Sequence, residues 1–228
     1  MNDFVIAPPA ASFVPVAGGG RFPVRRVFCV GRNYAEHARE MGHDPAREPP
    51  FFFMKPADAL VIEGADAPYP PMTKDLHHEI ELVVALQSGG AEIPVAEAAS
   101  HIYGYAAGID LTRRDVQAEL RKAGRPWDMG KGFDHSAPIG EIAPASRIGH
   151  PAKAAIELKV NGETRQTGDI AGMTWNVGEI IAELSRYVTL AAGDLIFTGT
   201  PAGVSALQPG DRLEGSVAGV GTVSVRIG

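Results

Sequence analysis

The sequence is poor in cysteine, because Cys29 is the only one among 228 residues. An intrachain disulfide is therefore excluded, and we expect a reducing compartment such as the cytoplasm. Cys29 lies within the apolar run 27–30, which predicts a buried strand. We therefore interpret its thiol as a structural side chain rather than a nucleophile.

Long hydrophobic runs and an excess of positive charge are also missing. No apolar run approaches the roughly 20 residues needed to cross a bilayer, and the N-terminal stretch lacks the basic segment and long apolar core of a secretory signal. The 21 Lys and Arg residues are outnumbered by 27 Asp and Glu, which gives a net charge of −6. We therefore expect neither a nucleic-acid partner nor a membrane partner.

What the sequence does contain is typical of a globular chain with many turns. Hydrophobic residues make up 45% and charged residues 21%, and there are 27 Gly and 18 Pro. This composition favours short strands and turns over a helical bundle. We place an N-terminal arm or short hairpin at residues 1–24, with possible strands at 4–6 and 12–16, and one main domain at residues 25–228.

Three acids stand out in apolar surroundings. Alternate residues of a strand face the same side, so Glu79 and Glu81, at the start of a β-branched apolar segment, should lie side by side. A third acid, Asp110, ends the apolar strand predicted at 104–110. Each acid also has an ordinary explanation, because the glutamates could lie on the solvated face of an edge strand and Asp110 could cap the helix that follows. Together, three carboxylates without clustered Cys or His ligands suit Mg²⁺, Mn²⁺ or Ca²⁺ better than zinc or copper.

Other polar residues could serve either a site or the surface. His37 and Glu40 share one face of a helix predicted from 34 to about 41, where a surface ion pair is the ordinary explanation. Lys131 lies between two glycines, which allow the backbone to approach a ligand closely. Lys55 ends an aromatic strand, with its amine either in a cleft or reaching water.

Two further segments are suited to ligand binding. Arg114 and Gln117 are three apart on a helix predicted at 113–122, so they share a face. The loop 198–203, which contains Thr200, combines hydroxyl groups with glycine-exposed amides and could hold a carboxylate or phosphate. It is not a P-loop, since no Gly-Lys-Ser/Thr follows.

Taken in order, these segments resemble the fumarylacetoacetate hydrolase family, and within it the fumarylpyruvate hydrolase and acylpyruvase branch. The resemblance covers roughly residues 25–228. It rests on Val30-Gly31-Arg32-Asn33-Tyr34 with His37, Phe53 to Pro56, His78-Glu79-Ile80-Glu81, Gly108-Ile109-Asp110, Asp115-Val116-Gln117, Lys131-Gly132-Phe133-Asp134, Asn161-Gly162-Glu163 and Gly193-Asp194 through Gly203.

The resemblance implies an α+β fold, a mixed β-sandwich roll with short peripheral helices, and a homodimer. It also implies that Glu79, Glu81 and Asp110 hold Mg²⁺ or Mn²⁺. This is the same set of acids that their carboxylate chemistry indicates independently.

Catalytic and substrate-binding roles follow from the same resemblance. His37 and Glu40 match a catalytic His-Glu pair on a lid segment around 33–50, which replaces the surface ion pair as our expectation. Lys131 matches the active-site lysine of the family. Contacts to substrate are implied at Arg114, Gln117 and Thr200, and a distal carboxylate of the substrate would need a cation such as Arg32, Lys55 or Arg114.

The expected activity is metal-dependent hydrolysis of a carbon–carbon bond in a 2,4-diketo acid, with fumarylpyruvate cleaved to fumarate and pyruvate. Oxaloacetate decarboxylation, acetylpyruvate hydrolysis and isomerisation of unsaturated keto diacids are alternatives that use the same stabilisation of an enolate. A non-catalytic module that binds a metal or a carboxylate is an alternative of a different class. It would explain the three acids but leave His37, Glu40 and Lys131 without a task.

Overall fold

Short strands make up most of the regular structure, as the high glycine and proline content predicts. A computed structural model describes residues 4–36, 48–62 and 64–228. Its strands are β1 Phe13–Pro15, β2 Arg21–Pro23, β3 Arg26–Gly31, β4 Phe51–Lys55, β5 Leu60–Ile62, β6 Leu76–His77, β7 Ile80–Leu86, β8 Ile102–Ile109, β9 Thr112–Arg113, β10 Ala137–Ile139, β11 Ala143–Pro144, β12 Ala155–Val160, β13 Glu163–Asp169, β14 Asp194–Phe197, β15 Ala206–Leu207, β16 Arg212–Val217 and β17 Gly221–Arg226.

The helices of the described residues are few and short. They are α1 Arg114–Lys122, α2 Asp128–Lys131, α3 Ala145–Ile148 and α4 Val177–Tyr187, with 3-10 turns at Ala57–Ala59, Val95–His101 and Ile170–Gly172. A capping box at Asn176 and Glu179 sets the start of α4, because each side chain bonds the backbone N–H of the other residue. None of these helices is long and apolar enough to span a membrane.

The largest sheet is mixed and has eight strands. Seven follow the order β4-β3-β14-β7-β8-β10-β5, and β11 pairs with β8. The β14–β3 and β10–β5 pairs are parallel, whereas β7 pairs antiparallel with both of its neighbours. A second, four-stranded antiparallel sheet has the order β13-β12-β16-β17. The predicted mixed β-roll with short peripheral helices is confirmed.

Both faces of the large sheet are buried, which follows from the alternation of side chains along each strand. One face of β7 carries Ile80, Leu82 and Val84, which belong to the core shared with the four-stranded sheet and α4. The opposite face carries Val83 and Ala85, which belong to a second core formed with Cys29, Phe197 and the β1–β2 hairpin. Burial in this second core raises the pKa of the Cys29 thiol, in keeping with a structural side chain.

The N-terminal hairpin differs from the predicted one. β1 pairs antiparallel with β2, and the chain reverses through Gly18, Gly19 and Gly20. All three have positive φ, at 88°, 110° and 99°, so the glycine run forms the turn itself. Residues 4–6 form no strand and are exposed, so that strand prediction is wrong.

The lid segment expected around 33–50 is described only at its two ends. Ala35 and Glu36 are helical, and residues 37–47 lie outside the described residues. The helix predicted from 34 to about 41 is therefore observed at its start only.

Gly108 is required by close packing in the middle of the sheet. It lies opposite Glu81 in the β7–β8 pair, and an added Cβ would lie 2.6 Å from Val83 Cγ2 and 2.7 Å from Phe197 Cε1. We expect Gly108→Ala to lower the free energy of unfolding by about 1–3 kcal/mol through overpacking. Urea unfolding monitored by circular dichroism measures this change.

Gly221→Ala is the matched control, because it also lies in a strand and its added Cβ would meet nothing closer than 3.8 Å. We expect its free energy of unfolding to stay within about 0.5 kcal/mol of the parent protein. Equal stability of the two variants would contradict the packing argument.

Candidate metal centre and active-site cleft

Two neighbouring strands in the middle of the large sheet bring three acids together. Glu81 lies on the same face of β7 as Val83, and Glu79 precedes that strand. Asp110 directly follows β8, and its N–H donates to the carbonyl of Glu79 at 2.8 Å. The pairing of the two strands therefore continues beyond their ends, and oxygens of all three carboxylates lie within 4.8 Å of one another.

The three carboxylates are buried, with exposed fractions of 6% for Glu79, 1% for Glu81 and 0% for Asp110. The solvated edge-strand explanation is wrong, because β7 lies between β14 and β8. The helix-cap explanation for Asp110 is wrong as well. The N-cap of α1 is Arg113, and the side chain of Arg113 makes no capping hydrogen bond.

Lys131 lies in this cluster rather than on the surface. The short helix α2 carries it, and its Nζ donates to Glu79 Oε2 at 2.8 Å, Asp110 Oδ2 at 2.7 Å and Thr112 Oγ1 at 2.6 Å. An ammonium group has three N–H bonds, so all of its donors are used. Burial disfavours the charged form, but the carboxylates of Asp110 and Glu79 outweigh this effect and raise the pKa of Lys131.

Arg114 and Gln117 lie on the buried face of α1, as their spacing predicts. Arg114 donates from Nη2 to Glu79 Oε1 at 2.5 Å and from Nη1 to Gln117 Oε1 at 2.6 Å. The amide nitrogen of Gln117 makes no hydrogen bond within the described part of the chain, and this residue lines the cleft described below. Its N–H groups are therefore available to a ligand.

Lys55 has a different position from the one predicted for a substrate contact. Its Nζ lies 2.9 Å from Asp110 Oδ1 as an ion pair, and its hydrogen bonds go to the carbonyls of Leu111 and Lys131. The side chain is fully buried and does not line the cleft. We therefore replace the predicted substrate contact of Lys55 with a role in holding Asp110.

Two carboxylate oxygens in the cluster remain without hydrogen bonds from the described residues. Asp110 Oδ1 is buried and accepts none, and its one close partner is the Lys55 ammonium of the ion pair described above. Glu81 accepts the N–H of Gly199 at 2.6 Å, but only on Oε2. Burial raises the pKa of Glu81, and repulsion from Asp110 and Glu79 raises it further.

A hard divalent cation fits this set of oxygens. It would contact Glu81 Oε1, which accepts no hydrogen bond from the described residues, together with oxygens of Glu79 and Asp110. It would also offset the repulsion between the three buried carboxylates. An all-carboxylate set of this kind suits Mg²⁺ or Mn²⁺. Glu79, Glu81 and Asp110 are the residues that could hold it.

The sequence prediction missed a network behind Thr200 that involves His78 and Gln166. Gln166 Nε2 donates to Thr200 Oγ1 at 2.8 Å, and its Oε1 accepts from Ile80 N at 3.1 Å and contacts His78 Nδ1 at 2.8 Å. His78 Nδ1 must therefore carry the proton. Burial lowers the pKa of His78 to about 4, so the ring is neutral.

This network also changes how Thr200 can serve a ligand. The Thr200 hydroxyl donates to the carbonyl of Ile80 at 2.7 Å and accepts from Gln166. Because its one proton is already donated, the hydroxyl cannot also donate to a carboxylate of a ligand. A contact from Thr200 to such a carboxylate would therefore come from the backbone N–H.

Most of the predicted site residues line one cleft. They are Arg32, Glu79, Glu81, Arg114, Gln117, Lys131 and Thr200. Asp110 and Lys55 are buried and do not line it. His37 and Glu40 lie outside the described residues, so their predicted places in the site are not tested by the structure.

A mixed sheet with buried carboxylates at the ends of its central strands provides a site that could hold a metal ion beside a cleft. A family model described as fumarylacetoacetate (FAA) hydrolase C-terminal matches residues 26–228. The chain therefore belongs to the fumarylacetoacetate hydrolase family, which confirms the resemblance seen in its motifs.

Individual relatives cover almost the whole chain. The crystal structure of fumarylpyruvate hydrolase from Pseudomonas aeruginosa, in complex with Mn²⁺ and pyruvate, is similar with a TM-score of 0.97 and 53% identity over 99% of each chain. A fumarylpyruvate hydrolase of a Ralstonia species is 44% identical over 81% of this chain and 96% of its own length. The mitochondrial oxaloacetate tautomerase FAHD1 of Rattus norvegicus is 42% identical over 89% of this chain and 90% of its own length.

Replacing Glu81 with glutamine tests the metal centre. The amide keeps the size of the side chain but loses its negative charge, so we expect at least about a tenfold loss in Mn²⁺ affinity. Isothermal titration calorimetry of the metal-stripped protein measures this affinity.

Glu157→Gln is the control, because Glu157 pairs with Lys159 at the surface. The Mn²⁺ affinity of this variant should match that of the parent protein. Unchanged affinity in Glu81→Gln would refute the ligand assignment.

Proposed function

We propose that the protein is a divalent-metal-dependent hydrolase that cleaves the carbon–carbon bond of acylpyruvates, with fumarylpyruvate converted to fumarate and pyruvate. The observation that carries this proposal is the set of three buried carboxylates converging beside a cleft, with Glu81 Oε1 accepting no hydrogen bond from the described residues. The similarity to a fumarylpyruvate hydrolase that binds Mn²⁺ and pyruvate supports it.

Glu79, Glu81 and Asp110 would hold Mg²⁺ or Mn²⁺ in this proposal. When bound, the ion would supply a Lewis acid that stabilises the negative charge of the pyruvate enolate as it leaves. Lys131 would fix the orientation of two of these carboxylates, since its ammonium bridges Glu79 and Asp110. Arg114 would hold Glu79 from the other side.

Hydrolysis also needs a base that activates water. We assign this role to His37, with Glu40 orienting the ring and raising its basicity, on the strength of the family motif. His37 would take a proton from water, and the resulting hydroxide would add to the C4 carbonyl of the substrate. Cleavage of the C3–C4 bond then leaves the bonding electron pair on C3 of the pyruvate enolate, which is protonated to pyruvate.

The oxyanion formed at C4 needs a hydrogen-bond donor. Gln117 is better placed for this role than Lys131, because its amide N–H groups bond to none of the described residues, whereas all three N–H bonds of Lys131 are engaged. A donor aimed at the developing charge lowers the barrier for formation of the oxyanion.

A second candidate activity is tautomerisation of oxaloacetate. Two relatives named oxaloacetate tautomerase are 42% and 39% identical to this chain, close to the 44% of the Ralstonia fumarylpyruvate hydrolase. Keto–enol exchange needs a base and stabilisation of an enolate but no addition of water, so the same carboxylate centre could serve it. Decay of enol absorbance from oxaloacetate without release of pyruvate would identify this activity and separate it from decarboxylation.

Assembly and location are proposals taken from the sequence alone. We propose a homodimer, from the family resemblance, and a cytoplasmic location, from the single cysteine. Sedimentation equilibrium of the purified protein would test the first, and fractionation of the source cells the second.

The proposed hydrolysis predicts release of pyruvate from fumarylpyruvate in the presence of Mg²⁺ or Mn²⁺. We expect His37→Ala to reduce kcat by roughly 10²–10⁴-fold, because it removes the general base. A coupled assay for pyruvate measures this loss.

The metal-induced rise in melting temperature should remain in His37→Ala, since His37 is not a proposed ligand. His101→Ala is the control. His101 directly precedes β8, at the opposite end of that strand from Asp110, and its ring contacts the Ser88 hydroxyl. Full activity of His37→Ala would remove the general-base assignment.

A further inference from the structure

Arg32 has an unusual backbone conformation and lines the cleft. It follows β3 with a φ of 57°, in the left-handed region that non-glycine residues seldom adopt. Its side chain lines both the cleft and a neighbouring aromatic groove formed mainly by β4 and the segment 125–128. The backbone conformation therefore directs a cation towards the place where a ligand would enter.

Two aromatic rings hold the guanidinium of Arg32. Its Cζ lies 5.3 Å from the ring centre of Phe51 and 5.9 Å from that of Trp127. These rings contact each other edge to face at 5.0 Å. Gly31 makes this arrangement possible, because a Cβ there would overlap the Phe51 ring.

The hydrogen-bonding capacity of Arg32 is not used within the described chain. Stacking on aromatic faces leaves the edge of a guanidinium, with its five N–H donors, open to an anion. Across residues 4–36, 48–62 and 64–228, Arg32 makes neither a hydrogen bond nor an ion pair. A half-buried cation of this kind needs an acceptor, which a ligand can supply.

The other predicted candidates for binding a distal carboxylate are already engaged by protein carboxylates. Arg114 pairs with Glu79, and Lys55 pairs with Asp110. Together with Lys131, these cations carry three positive charges, which equal the three negative charges of the carboxylates in the centre. Arg32 therefore remains as the cation that can be directed to a second negative group.

Arg121 adds a second positive charge on the same side. It lies four residues after Gln117 on α1, so the two share a helix face, and both line the cleft. Its charge reaches Arg32, because burial and then repulsion from Arg121 lower the pKa of Arg32, while Glu48 acts in the opposite direction. An anion between the two guanidinium groups would relieve this repulsion.

We propose that Arg32, assisted by Arg121, binds the distal carboxylate of the substrate and makes the enzyme selective for acylpyruvates that carry a second carboxylate. This inference rests on the proposed hydrolysis and names its substrate class. The pyruvyl end of the substrate would lie at the carboxylate centre, and the acyl end would extend towards the aromatic wall formed by Phe51 and Trp127.

The test compares kcat/KM for fumarylpyruvate, which has the distal carboxylate, with that for acetylpyruvate, which lacks it. In Arg32→Gln we expect kcat/KM for fumarylpyruvate to fall roughly 10- to 100-fold, the loss typical of a hydrogen bond to a charged group. The value for acetylpyruvate should stay within about twofold. Arg32→Lys should recover part of the loss, because it keeps the charge but not the planar two-point contact.

Arg121→Gln should show the same selective loss at a smaller size, because this side chain is exposed and its charge is screened. Lys122→Gln is the matched control. It also removes one positive charge from α1, but Lys122 does not line the cleft. In this variant kcat/KM should stay within about twofold of the parent value for both substrates.

Binding of fumarate to the Mn²⁺-loaded protein gives a second readout that does not depend on turnover. Calorimetry should show weaker fumarate binding in Arg32→Gln and unchanged pyruvate binding. An equal loss on both substrates, or unchanged fumarate affinity, would overturn the role of Arg32. If the parent protein hydrolyses no acylpyruvate, the proposed function fails, and the fumarate measurement still decides whether Arg32 binds a distal carboxylate.

Discussion

Compensation of three buried carboxylates is the constraint on which the site depends. Isolated ionised groups are very costly to bury, and carboxylates held close together repel one another. The fold meets this cost with Lys131, Arg114 and Lys55, each within ion-pair distance of Glu79 or Asp110. The balance is incomplete at single oxygens, because Glu81 has no ion-pair partner among the described residues and accepts its one hydrogen bond from them on Oε2. That incompleteness is what makes the cluster a place for a divalent cation rather than a closed network of ion pairs.

The layers of the fold hold this cluster in place. β7 and β8 are central strands with cores on both faces, so the acids at their ends extend from a rigid support. Gly108, opposite Glu81 in the strand pair, leaves space for Val83 and Phe197, and the loop after β14 supplies the Gly199 N–H to the Glu81 carboxylate. Outside the centre, the aromatic side chains of β4 and Trp127 shape the side of the cleft where Arg32 lies. The chemistry of the site and the selectivity proposed for it therefore depend on different strands of the large sheet, β7 and β8 for the carboxylates and β4 for the aromatic wall.

Local patterns predicted much of this from the sequence. The two-residue alternation placed Glu79 and Glu81 together, and the three-residue spacing placed Arg114 and Gln117 on one face of α1. The partners of the acids could not be predicted in this way. Lys55 reaches Asp110 across 55 positions of chain, and the pairing exists only once β4 and the end of β8 have packed together. The hairpin at the N-terminus was misplaced because its turn lies at Gly18, Gly19 and Gly20, between β1 and β2, and depends on their positive φ angles.

Location of the metal ion tests the central claim most directly. Anomalous diffraction from a crystal of the protein grown with Mn²⁺ should show one ion in contact with an oxygen from each of Glu79, Glu81 and Asp110, with Lys131 still bonded to the remaining carboxylate oxygens. An ion bound elsewhere, or the three carboxylates pointing apart with no ion between them, would contradict the account.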